Sequence, residues 1–535
     1  MSSAPNIVFF FCDDLGWGDV SCLNPESKIA TPHIDALAAS GMSFTDAHAG
    51  SAVCTPSRYT LLTGRYCWRT RLKEGVNGGY SPSLIPPDRP TVASELRSLG
   101  DATACIGKWH LGLDWALKPD APPELGPHQE FTEHEGELDP YIDFTQPVRG
   151  GPVDVGFDHF FGISASLDMS PYVYIHDDRV TEPPTSHSPG GTAELRARPG
   201  IAAPGWRHED VLPELERRAC AWIAEQHAAD HPFFLYLPIN GPHTPVVPTD
   251  EWKGRSGCGI YGDFVMQIDA VVGSLIAELE KLGIRENTLF VFSSDNGPET
   301  ITAPYRERYG HKSAWEFRGM KRDNWEGGHR IPLIASWPAA IRAGSRCDRF
   351  VELADFYMTA LDIGGHEMTP LDVGGHEMPP PDARPRGGED SFSMLPLLQG
   401  GDASAYRQFA VHHSMQGKWA IRKGRWKLLL HSGSGGNPYD CPENDDPVQL
   451  YDMESDPFET TNVYRARPET VRELKELCLA VIRGGRSTPG PALANDPPAG
   501  VSNDANAAAG DTGAGRESDQ PIWHQLQELL ELELS

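Results

Sequence analysis

The chain has 535 residues, 39% of them hydrophobic, with 46 basic and 75 acidic side chains and a formal net charge of −29 at pH 7. This length allows two or more domains, and the acidic balance argues against a nucleic-acid or anionic-membrane partner. It also argues against a long basic groove for an extended polyanion, although it permits a local positive pocket. Ten scattered cysteines form no CxxC pair, which favours mostly reduced thiols.

Export and membrane signals are absent from the sequence as it stands. No stretch approaches the roughly 20 apolar residues of a membrane span. The N-terminal sequence MSSAPNIVFFFCDD lacks a basic segment, and its apolar run is too short for a signal peptide. We therefore expect a cytoplasmic protein. The alternative is a periplasmic or secreted protein whose signal was removed before this sequence begins.

Polar residues follow four short apolar runs along the chain. In order, NIVFFF precedes Asp13 and Asp14, ATACI precedes Lys108 and His110, FFLYLPI precedes His243, and TLFVFSS precedes Asp295 and Asn296. Helix-like stretches between the runs, such as TVASELRSLG and VVGSLIAELEKLG, end in glycine, a common helix stop. The alternation predicts an α/β fold with a large, mostly parallel central sheet and helices on both faces. Because ligands bind beyond the carboxyl ends of such strands, we expect these polar residues to form one site.

The character of the sequence changes near residue 403. WAIRKGRWKLLLH and VQLYDM read as antiparallel strands, and PETVRELKELCLAVIRGG reads as a closing helix. We therefore predict a catalytic domain over 1–402 and a smaller C-terminal α+β domain with an antiparallel sheet over 403–486. Residues 487–520 are rich in Ala, Gly, Pro and Asp and predict a flexible linker. An amphipathic helix over 521–535 should dock on its own subunit, or alternatively on a neighbouring subunit of a homo-oligomer.

A tandem repeat, LDIGGHEMTP followed by LDVGGHEMPP, occupies 361–380. Its His and Glu residues raise the question of a metal site, formed by His366, Glu367, His376 and Glu377. The spacing matches no helical pair of ligands, so duplication within a surface loop is the favoured interpretation.

The stretch CTPSRYTLLTGRY places Cys54 where a helix begins. Thr55 can cap the helix, and Pro56 fits its first turn, where a missing N–H costs nothing. A helix N-terminus favours negative charge, so this is a suitable place to hold an anion. The alternative interpretation is a small buried hydrophobic residue, the usual state of a free cysteine.

Two pairs of oxygen ligands predict a metal site at the same sheet edge. Asp13 with Asp14, and Asp295 with Asn296, offer the hard oxygens that Ca²⁺ or Mg²⁺ prefers. Adjacent side chains on a strand point to opposite faces, so both members of a pair reach one ion only where the strand has turned into loop. Five cationic or proton-transferring side chains, which together suit an oxyanion ester, join them: Arg58, Lys108, His110, His243 and Lys321.

Two rival cysteine chemistries fit the sequence less well. Cysteine phosphatases use C-x₅-R, but Thr60 stands six residues beyond Cys54. A cysteine hydrolase needs a histidine base oriented by a third group, and it has no use for the acid pairs.

The same motifs resemble those of the type I sulfatases, within the alkaline phosphatase superfamily. CTPSRYTLLTGRY is similar to their signature C-x-P-S-R-x₃-L-x-T-G-R, departing only in spacing, because Leu61 and Leu62 precede Thr63. PNIVFFFCDDLGWGDV, GKWHLG, GPHTP, SSDNGP and GMKRDNWEGGHRIP resemble further motifs in order, and LYDMESDPFETTNV resembles the closing segment. The resemblance covers residues 6 to about 463 and implies a sulfatase with an alkaline phosphatase-like fold.

The resemblance gives Cys54 a specific role. In this family a separate maturation enzyme reads C-x-P-x-R before folding and oxidises the cysteine to Cα-formylglycine, whose hydrate is the nucleophile. A serine nucleophile would leave a stable sulfate ester, whereas a gem-diol that has taken up sulfate can collapse to the aldehyde and expel it. The resemblance further implies Ca²⁺, with Mg²⁺ as the alternative, held by Asp13, Asp14, Asp295, Asn296 and an oxygen of modified Cys54.

The remaining roles also come from the resemblance. Arg58 and Lys108 would hold and polarise the hydrate, and His110 would take the second hydroxyl proton. His243 and Lys321 would bind the sulfate and protonate the leaving oxygen. The segment FDHFFGISAS aligns with one that contributes a serine to the sulfate pocket, which indicates Ser166.

Two other functions remain open at this point. One is a phosphonate or phosphate-ester hydrolase of the same superfamily, and the more remote one is a catalytically silent binding protein. Within the sulfatase interpretation, the net charge favours small or chain-terminal sulfate esters. The loops that carry Tyr172, Tyr174, Tyr305 and Trp315 could stack on a sugar or an aryl ring, or could simply be anchored by these residues. His176, Asp177 and Asp178 favour a sulfated sugar.

Overall fold

The computed structural model describes residues 4–122, 138–191, 196–364, 387–401, 406–437 and 446–496. Its strands are β1 (Asn6–Asp13), β2 (Met42–Phe44), β3 (Ala47–His48), β4 (Ala102–Lys108), β5 (His159–Ile163), β6 (Ile175–His176), β7 (Arg179–Val180), β8 (Ser186–Ser188), β9 (Gly200–Ala202), β10 (Phe233–Pro242), β11 (Thr288–Ser294), β12 (Leu333–Ser336), β13 (Ser345–Cys347), β14 (Val351–Glu352), β15 (Phe409–His413), β16 (Trp419–Lys423), β17 (Trp426–Leu429) and β18 (Gln449–Asp452). Its α-helices are α1 (Pro32–Ala39), α2 (Cys54–Thr63), α3 (Val92–Ser98), α4 (Val211–Ala228), α5 (Gly259–Lys281), α6 (Tyr305–Tyr309), α7 (Glu326–His329), α8 (Asp355–Ile363), α9 (Leu395–Leu398) and α10 (Pro468–Gly484).

The central sheet has ten strands in the order β13-β2-β12-β11-β1-β10-β4-β5-β6-β7. The strands from β11 to β5 are mutually parallel. Strands β12 and β6 join this block antiparallel, one on each side. The predicted α/β fold with a large, mostly parallel sheet is therefore confirmed.

Strand β1 is buried on both faces, which explains its continuous apolar sequence. Successive side chains of a strand point to opposite faces. One set of its side chains packs with α2, α3 and α8, and the other packs with α1, α4 and α5. The helices thus cover both faces of the sheet, and the carboxyl ends of the strands are not part of these two helical layers.

Helix α5 is 23 residues long and is the one helix among the described residues that is long and apolar enough to cross a membrane. Its apolar face packs inside the protein, together with α4 and strand β10. Core helices of globular proteins commonly have this composition, so the length alone does not indicate a membrane span.

The C-terminal region contains a second sheet of four antiparallel strands, β15-β16-β17-β18. Helix α10 packs on it through a separate apolar cluster. This agrees with the expected smaller α+β unit, while the boundary at residue 403 stays a prediction because 402–405 lie outside the described residues.

Residues 487–496 are held against the catalytic domain, although we expected a flexible linker from residue 487. The Ser487 hydroxyl donates to Asp390 Oδ1 at 2.6 Å, and the Arg65 guanidinium lies 3.0 Å from Asp496 Oδ1. The rest of the predicted linker, the helix at 521–535 and most of the tandem repeat lie outside the described residues.

A buried ion network joins the two sheets. Lys427 on β17 lies 2.9 Å from Glu326 on α7 and 2.8 Å from Glu459, and all three side chains are fully buried. The same ammonium lies 3.0 Å from His329 Nε2, so its three N–H donors are all used. His48 Nε2 donates to Asp46 Oδ1 at 2.7 Å, which leaves Nδ1 of this neutral ring to accept from His329 Nδ1 at 3.0 Å. Burial, opposed by the charge of Lys427, raises the pKa of Glu459 to about 7.

We predict that Lys427→Met destabilises the protein by about 3–5 kcal/mol, because it removes the buried cation that Glu326 and Glu459 share, and of these two carboxylates only Glu326 keeps another close counter-charge, Arg330 at 2.9 Å. Chemical denaturation measures the loss. Lys423→Met is the matched control, because Lys423 pairs with Glu473 on the surface, where an ion pair contributes below about 1 kcal/mol. Equal, small losses in both variants would show that the network does not join the domains.

Candidate active site

The carboxyl ends of five adjacent parallel strands carry the predicted site residues. In spatial order they are Asp295 and Asn296 after β11, Asp13 and Asp14 at β1, His243 after β10, Lys108 and His110 at β4, and Ser166 beyond β5. All of these side chains are buried. The structure thus brings together residues separated by up to about 280 positions, as the strand pattern predicted.

Asp13 and Asp14 both turn toward this site. Asp13 is the last residue of β1, and Asp14 has a positive φ of 64°, so the alternation of the strand is broken between them. This is the geometry that two adjacent acids need in order to meet one ion. The Asp14 N–H also donates to Asp295 Oδ1 at 3.1 Å, which ties the two acid pairs together.

Each of three buried carboxylates is paired with a buried cation from a different part of the fold. The partners are Lys108 Nζ and Asp13 Oδ2 at 2.7 Å, the Arg58 guanidinium and Asp295 Oδ2 at 2.7 Å, and Lys321 Nζ and Asp14 Oδ2 at 2.8 Å. Charges this deeply buried are stable only when paired. The site is therefore a compact cluster in which carboxylates alternate with cationic groups.

The carboxylates do not all ionise with equal ease. Burial disfavours the charge of Asp13, but Lys108, His243 and Arg58 outweigh it and hold the pKa of that carboxyl well below its usual range. Burial, opposed by Arg58 and reinforced by Asp13 and Asp14, raises the pKa of Asp295 to about 6. The repulsion among neighbouring carboxylates is the kind of strain that a divalent cation relieves.

The oxygens of this cluster fit a hard cation. The Asn296 Nδ2 group donates to Asp14 Oδ1 at 2.7 Å and to the Gly297 carbonyl at 2.8 Å, and these bonds fix the orientation of the amide. The Oδ1 atom of Asn296 is buried and receives no hydrogen bond. Asp13 Oδ1 is also buried and receives no hydrogen bond. Ligand atoms of Asp13, Cys54 and Asp295 lie within 4.8 Å of one another. Carboxylate and amide oxygens that receive no hydrogen bond are suitable ligands for Ca²⁺ or Mg²⁺.

Cys54 is the first residue of α2, as the sequence predicted, but Thr55 does not cap the helix. Val53 is the N-cap and makes no side-chain cap bond. The Thr55 hydroxyl instead donates to the His110 carbonyl at 3.0 Å and accepts from the Asn77 N–H at 3.1 Å. The N-terminus of α2 therefore has no side-chain cap, and it begins at Cys54, whose ligand atom lies near those of Asp13 and Asp295.

His110 is held in one tautomer. Its Nε2 lies 2.7 Å from the Asn77 carbonyl, which can only accept, so Nε2 carries the hydrogen and Nδ1 carries the lone pair. Nδ1 is buried and has no partner. Burial, reinforced by Lys108 and Arg58, lowers the pKa of His110 well below its usual value. The ring is thus a neutral base available to receive a proton.

Ser166 and His243 complete the ring of polar groups. Ser166 Oγ lies 3.1 Å from Lys108 Nζ and 3.2 Å from His243 Nδ1. His243 Nε2 lies 3.6 Å from Asp14 Oδ2. The structure therefore places Ser166 in direct contact with both the lysine and the histidine.

Two supporting residues escaped the sequence analysis. Glu299 lies 3.7 Å from Lys321 Nζ, and Asn77 fixes the tautomer of His110. Glu299 follows SSDNGP directly, so its place next to a motif was the available signal. Asn77 lies in a loop without any periodic pattern, and nothing in the sequence marks it.

Two of the four aromatic loop residues, Tyr172 and Trp315, are anchored within the fold. Tyr172 is buried, and its hydroxyl donates to the Asp168 carbonyl at 2.9 Å. Trp315 packs against Trp17 and Phe317 with ring centroids 5.0 and 5.1 Å apart. Asp177 accepts from the Phe160 N–H within its own hairpin. These contacts fit loop anchoring by Tyr172 and Trp315 better than stacking of these two rings on a sugar or an aryl group.

Comparisons with known proteins identify the family of this chain. Residues 5–366 match the family model described as Sulfatase, and residues 317–481 match the one described as N-sulphoglucosamine sulphohydrolase, C-terminal. The chain is 33% identical to an N-acetylgalactosamine-6-O-sulfatase of Bacteroides thetaiotaomicron, over 90% of this chain and 93% of that protein. It is 32% identical to human arylsulfatase A, over 89% and 87% of the two chains.

Solved structures show the same relationship. A structure from work on glycosaminoglycan metabolism by Bacteroides thetaiotaomicron superposes with a TM-score of 0.75 at 31% identity, covering 90% of this chain and all of that one. A phosphonate monoester hydrolase of Agrobacterium radiobacter shares the fold at 20% identity and a TM-score of 0.53, over 89% and 95% of the two chains. The chain belongs to the sulfatase family and is a sulfuric ester hydrolase.

Proposed function

We propose that this sulfatase releases inorganic sulfate from small or chain-terminal sulfated sugars, with a formylglycine made from Cys54 and a resident Ca²⁺. The observation that carries the proposal is the position of Cys54, at the N-terminus of α2 and within 4.8 Å of Asp13 and Asp295. The sugar preference is supported by the similarity to an N-acetylgalactosamine-6-O-sulfatase.

An unmodified Cys54 is poorly suited to catalysis. Burial, opposed by Lys108 and Lys321, raises the pKa of the Cys54 thiol. A thiol that stays protonated is a weak nucleophile and a weak metal ligand. Oxidation to the aldehyde replaces it with a hydratable oxygen function, and a thiolate adduct of sulfate would have no route of self-release.

A maturation enzyme has to act before the chain folds. Cys54 is 2% exposed and the helix that follows it is buried throughout. The five residues from Cys54 to Arg58 contain the C-x-P-x-R pattern of the family. Their burial is consistent with an enzyme that reads the motif in the extended chain.

The metal would be held by the oxygens of Asp13, Asp14, Asp295 and Asn296, together with an oxygen of modified residue 54. Bound there, Ca²⁺ would polarise the sulfate ester as a Lewis acid and offset the negative charge of the carboxylates.

The other polar side chains of the site have separate roles in the reaction. Arg58 and Lys108 hold the modified residue 54, because both cations pair with Asp13, whose carboxylate lies close to that residue. His110 receives a proton at Nδ1. Lys321, His243 and Ser166 surround the place of the sulfate oxygens, and His243 and Lys321 protonate the leaving oxygen.

Activity should depend on the conversion of Cys54. We predict that Cys54→Ala abolishes sulfate release, because the site then lacks a nucleophile, and that Cys54→Ser at best reacts once and stalls as a sulfate ester. Peptide mass spectrometry of the wild-type protein measures the fraction of residue 54 that carries CHO in place of CH₂SH. That fraction should track specific activity across preparations.

The control for folding is circular dichroism of both variants, which should match the wild-type protein. Full activity in a preparation whose residue 54 is entirely thiol would overturn the mechanism. A matched pair of substrates, 4-nitrophenyl sulfate and 4-nitrophenyl phosphate, separates the sulfatase from a phosphate-ester hydrolase, and faster turnover of the phosphate would favour the latter.

Calcium should stabilise the fold through the oxygen cluster. We predict that Ca²⁺ at 100 times its Kd raises the free energy of unfolding by about 2.7 kcal/mol relative to protein in EGTA, and that Asp295→Asn loses most of this gain. Thermal denaturation with and without Ca²⁺ measures it.

Asp263→Asn is the matched control, because Asp263 is a buried carboxylate that accepts from Gly254 and Ser256 N–H groups, outside the cluster. That variant should be less stable but keep the full calcium effect. Elemental analysis of purified protein that finds stoichiometric zinc and neither calcium nor magnesium would contradict the assignment.

A further inference from the structure

Arg322 stands at the rim of the active site, directly after Lys321. Its backbone has a positive φ of 85°. Its N–H donates to the Ala52 carbonyl at 2.8 Å, two residues before Cys54, and its own carbonyl accepts from the Met415 N–H at 3.2 Å. These two bonds fix the residue where the Cys54 loop meets the C-terminal sheet domain.

The Arg322 side chain is held in place by a bidentate ion pair. Its two terminal nitrogens donate to Glu299 Oε1 and Oε2, both at 2.6 Å. The Glu299 side chain is 8% exposed, whereas that of Arg322 is 30% exposed. Glu299 is further fixed by the Thr300 N–H at 2.7 Å. The carboxylate therefore lies inside, and the guanidinium is the outer, accessible partner.

The pair offers directed hydrogen-bond donors without net charge. An arginine has five N–H donors, and the ion pair uses two of them. In the part of the chain that the structure describes, the other three have no acceptor. Since Glu299 cancels the positive charge, the remaining donors suit neutral oxygens, such as a sugar hydroxyl or an acetamido carbonyl. A second sulfate or a carboxylate would need an uncompensated cation.

We propose that Arg322 is a specificity residue that binds a neutral oxygen of the sugar next to the sulfate ester. The assignment rests on the proposed function, since Lys321 is the adjoining sulfate-binding residue. An aryl sulfate carries no such oxygen and gains nothing from the contact. The enzyme should therefore prefer singly sulfated, otherwise neutral sugars.

The test compares two substrates in the converted, calcium-loaded enzyme. Arg322→Ala should lower kcat/KM about 10- to 100-fold on a singly sulfated N-acetylhexosamine, the loss of hydrogen bonds to a charged group. Turnover of 4-nitrophenyl sulfate should stay within about threefold of the wild-type value. Arg322→Lys keeps a cation beside Glu299 but loses the planar fork, so it should show the same split with a smaller loss.

Arg306→Ala is the control, because Arg306 is a largely exposed arginine of the same region that pairs only loosely with Glu316, and it should change neither substrate. Equal losses on both substrates would show that Arg322 acts only through Glu299 and Lys321, and would overturn the proposal. So would an unchanged kcat/KM on the sugar, or a faster, Arg322-dependent reaction of a disulfated sugar. Failure of the proposed function is recognised separately, since the wild-type enzyme itself would then not turn over the singly sulfated sugar.

Discussion

The arrangement of the rest of this structure depends on three carboxylates and three cations that are buried together at one edge of the sheet. Taking a single charge out of water costs several kcal/mol, and removing one partner of a buried pair leaves the other uncompensated. Asp13, Asp14 and Asp295 must therefore meet Lys108, Lys321 and Arg58 at hydrogen-bond distance. Parallel strands, the first turns of α2 and the loop around Lys321 each deliver one part, so these elements cannot shift independently of one another.

The charges of this ion-pair cluster sum to zero, which explains how an acidic protein accommodates an anionic substrate. The three pairs cancel one another, so the cluster itself neither attracts nor repels a sulfate strongly. A divalent cation bound by the oxygens that receive no hydrogen bond would make the pocket positive, and the dipole of α2, whose N-terminus begins at Cys54, would act in the same direction. Under the proposed function, the pocket would then suit an ester with a single negative charge, while the net charge of −29 on the whole chain would repel extended polyanions.

Much of the fold and the centre of the site could be predicted from the sequence, because both follow from local patterns. Strand β1 reads as a buried strand from NIVFFF alone, and the topology of parallel strands then brings the residues at their ends together. Contacts between loops could not be predicted in this way, because no periodic pattern marks the residues that make them. The Thr55 hydroxyl reads as a cap in the sequence but bonds to His110, because the loop of Asn77 supplies competing partners. The Arg322–Glu299 pair likewise depends on how two loops meet.

The C-terminal domain is part of the active site through the backbone it supports. Asn437 donates from Nδ2 to the Lys321 carbonyl at 2.6 Å, and the Asn324 N–H donates to the Ser434 carbonyl at 2.8 Å. Lys427 anchors the same region from β17 through Glu326. The loop that presents Lys321 and Arg322 is thus clamped from the side of the second sheet. Docking of the two domains and positioning of Lys321 therefore depend on the same contacts, since the contacts that stabilise the interface also hold the loop.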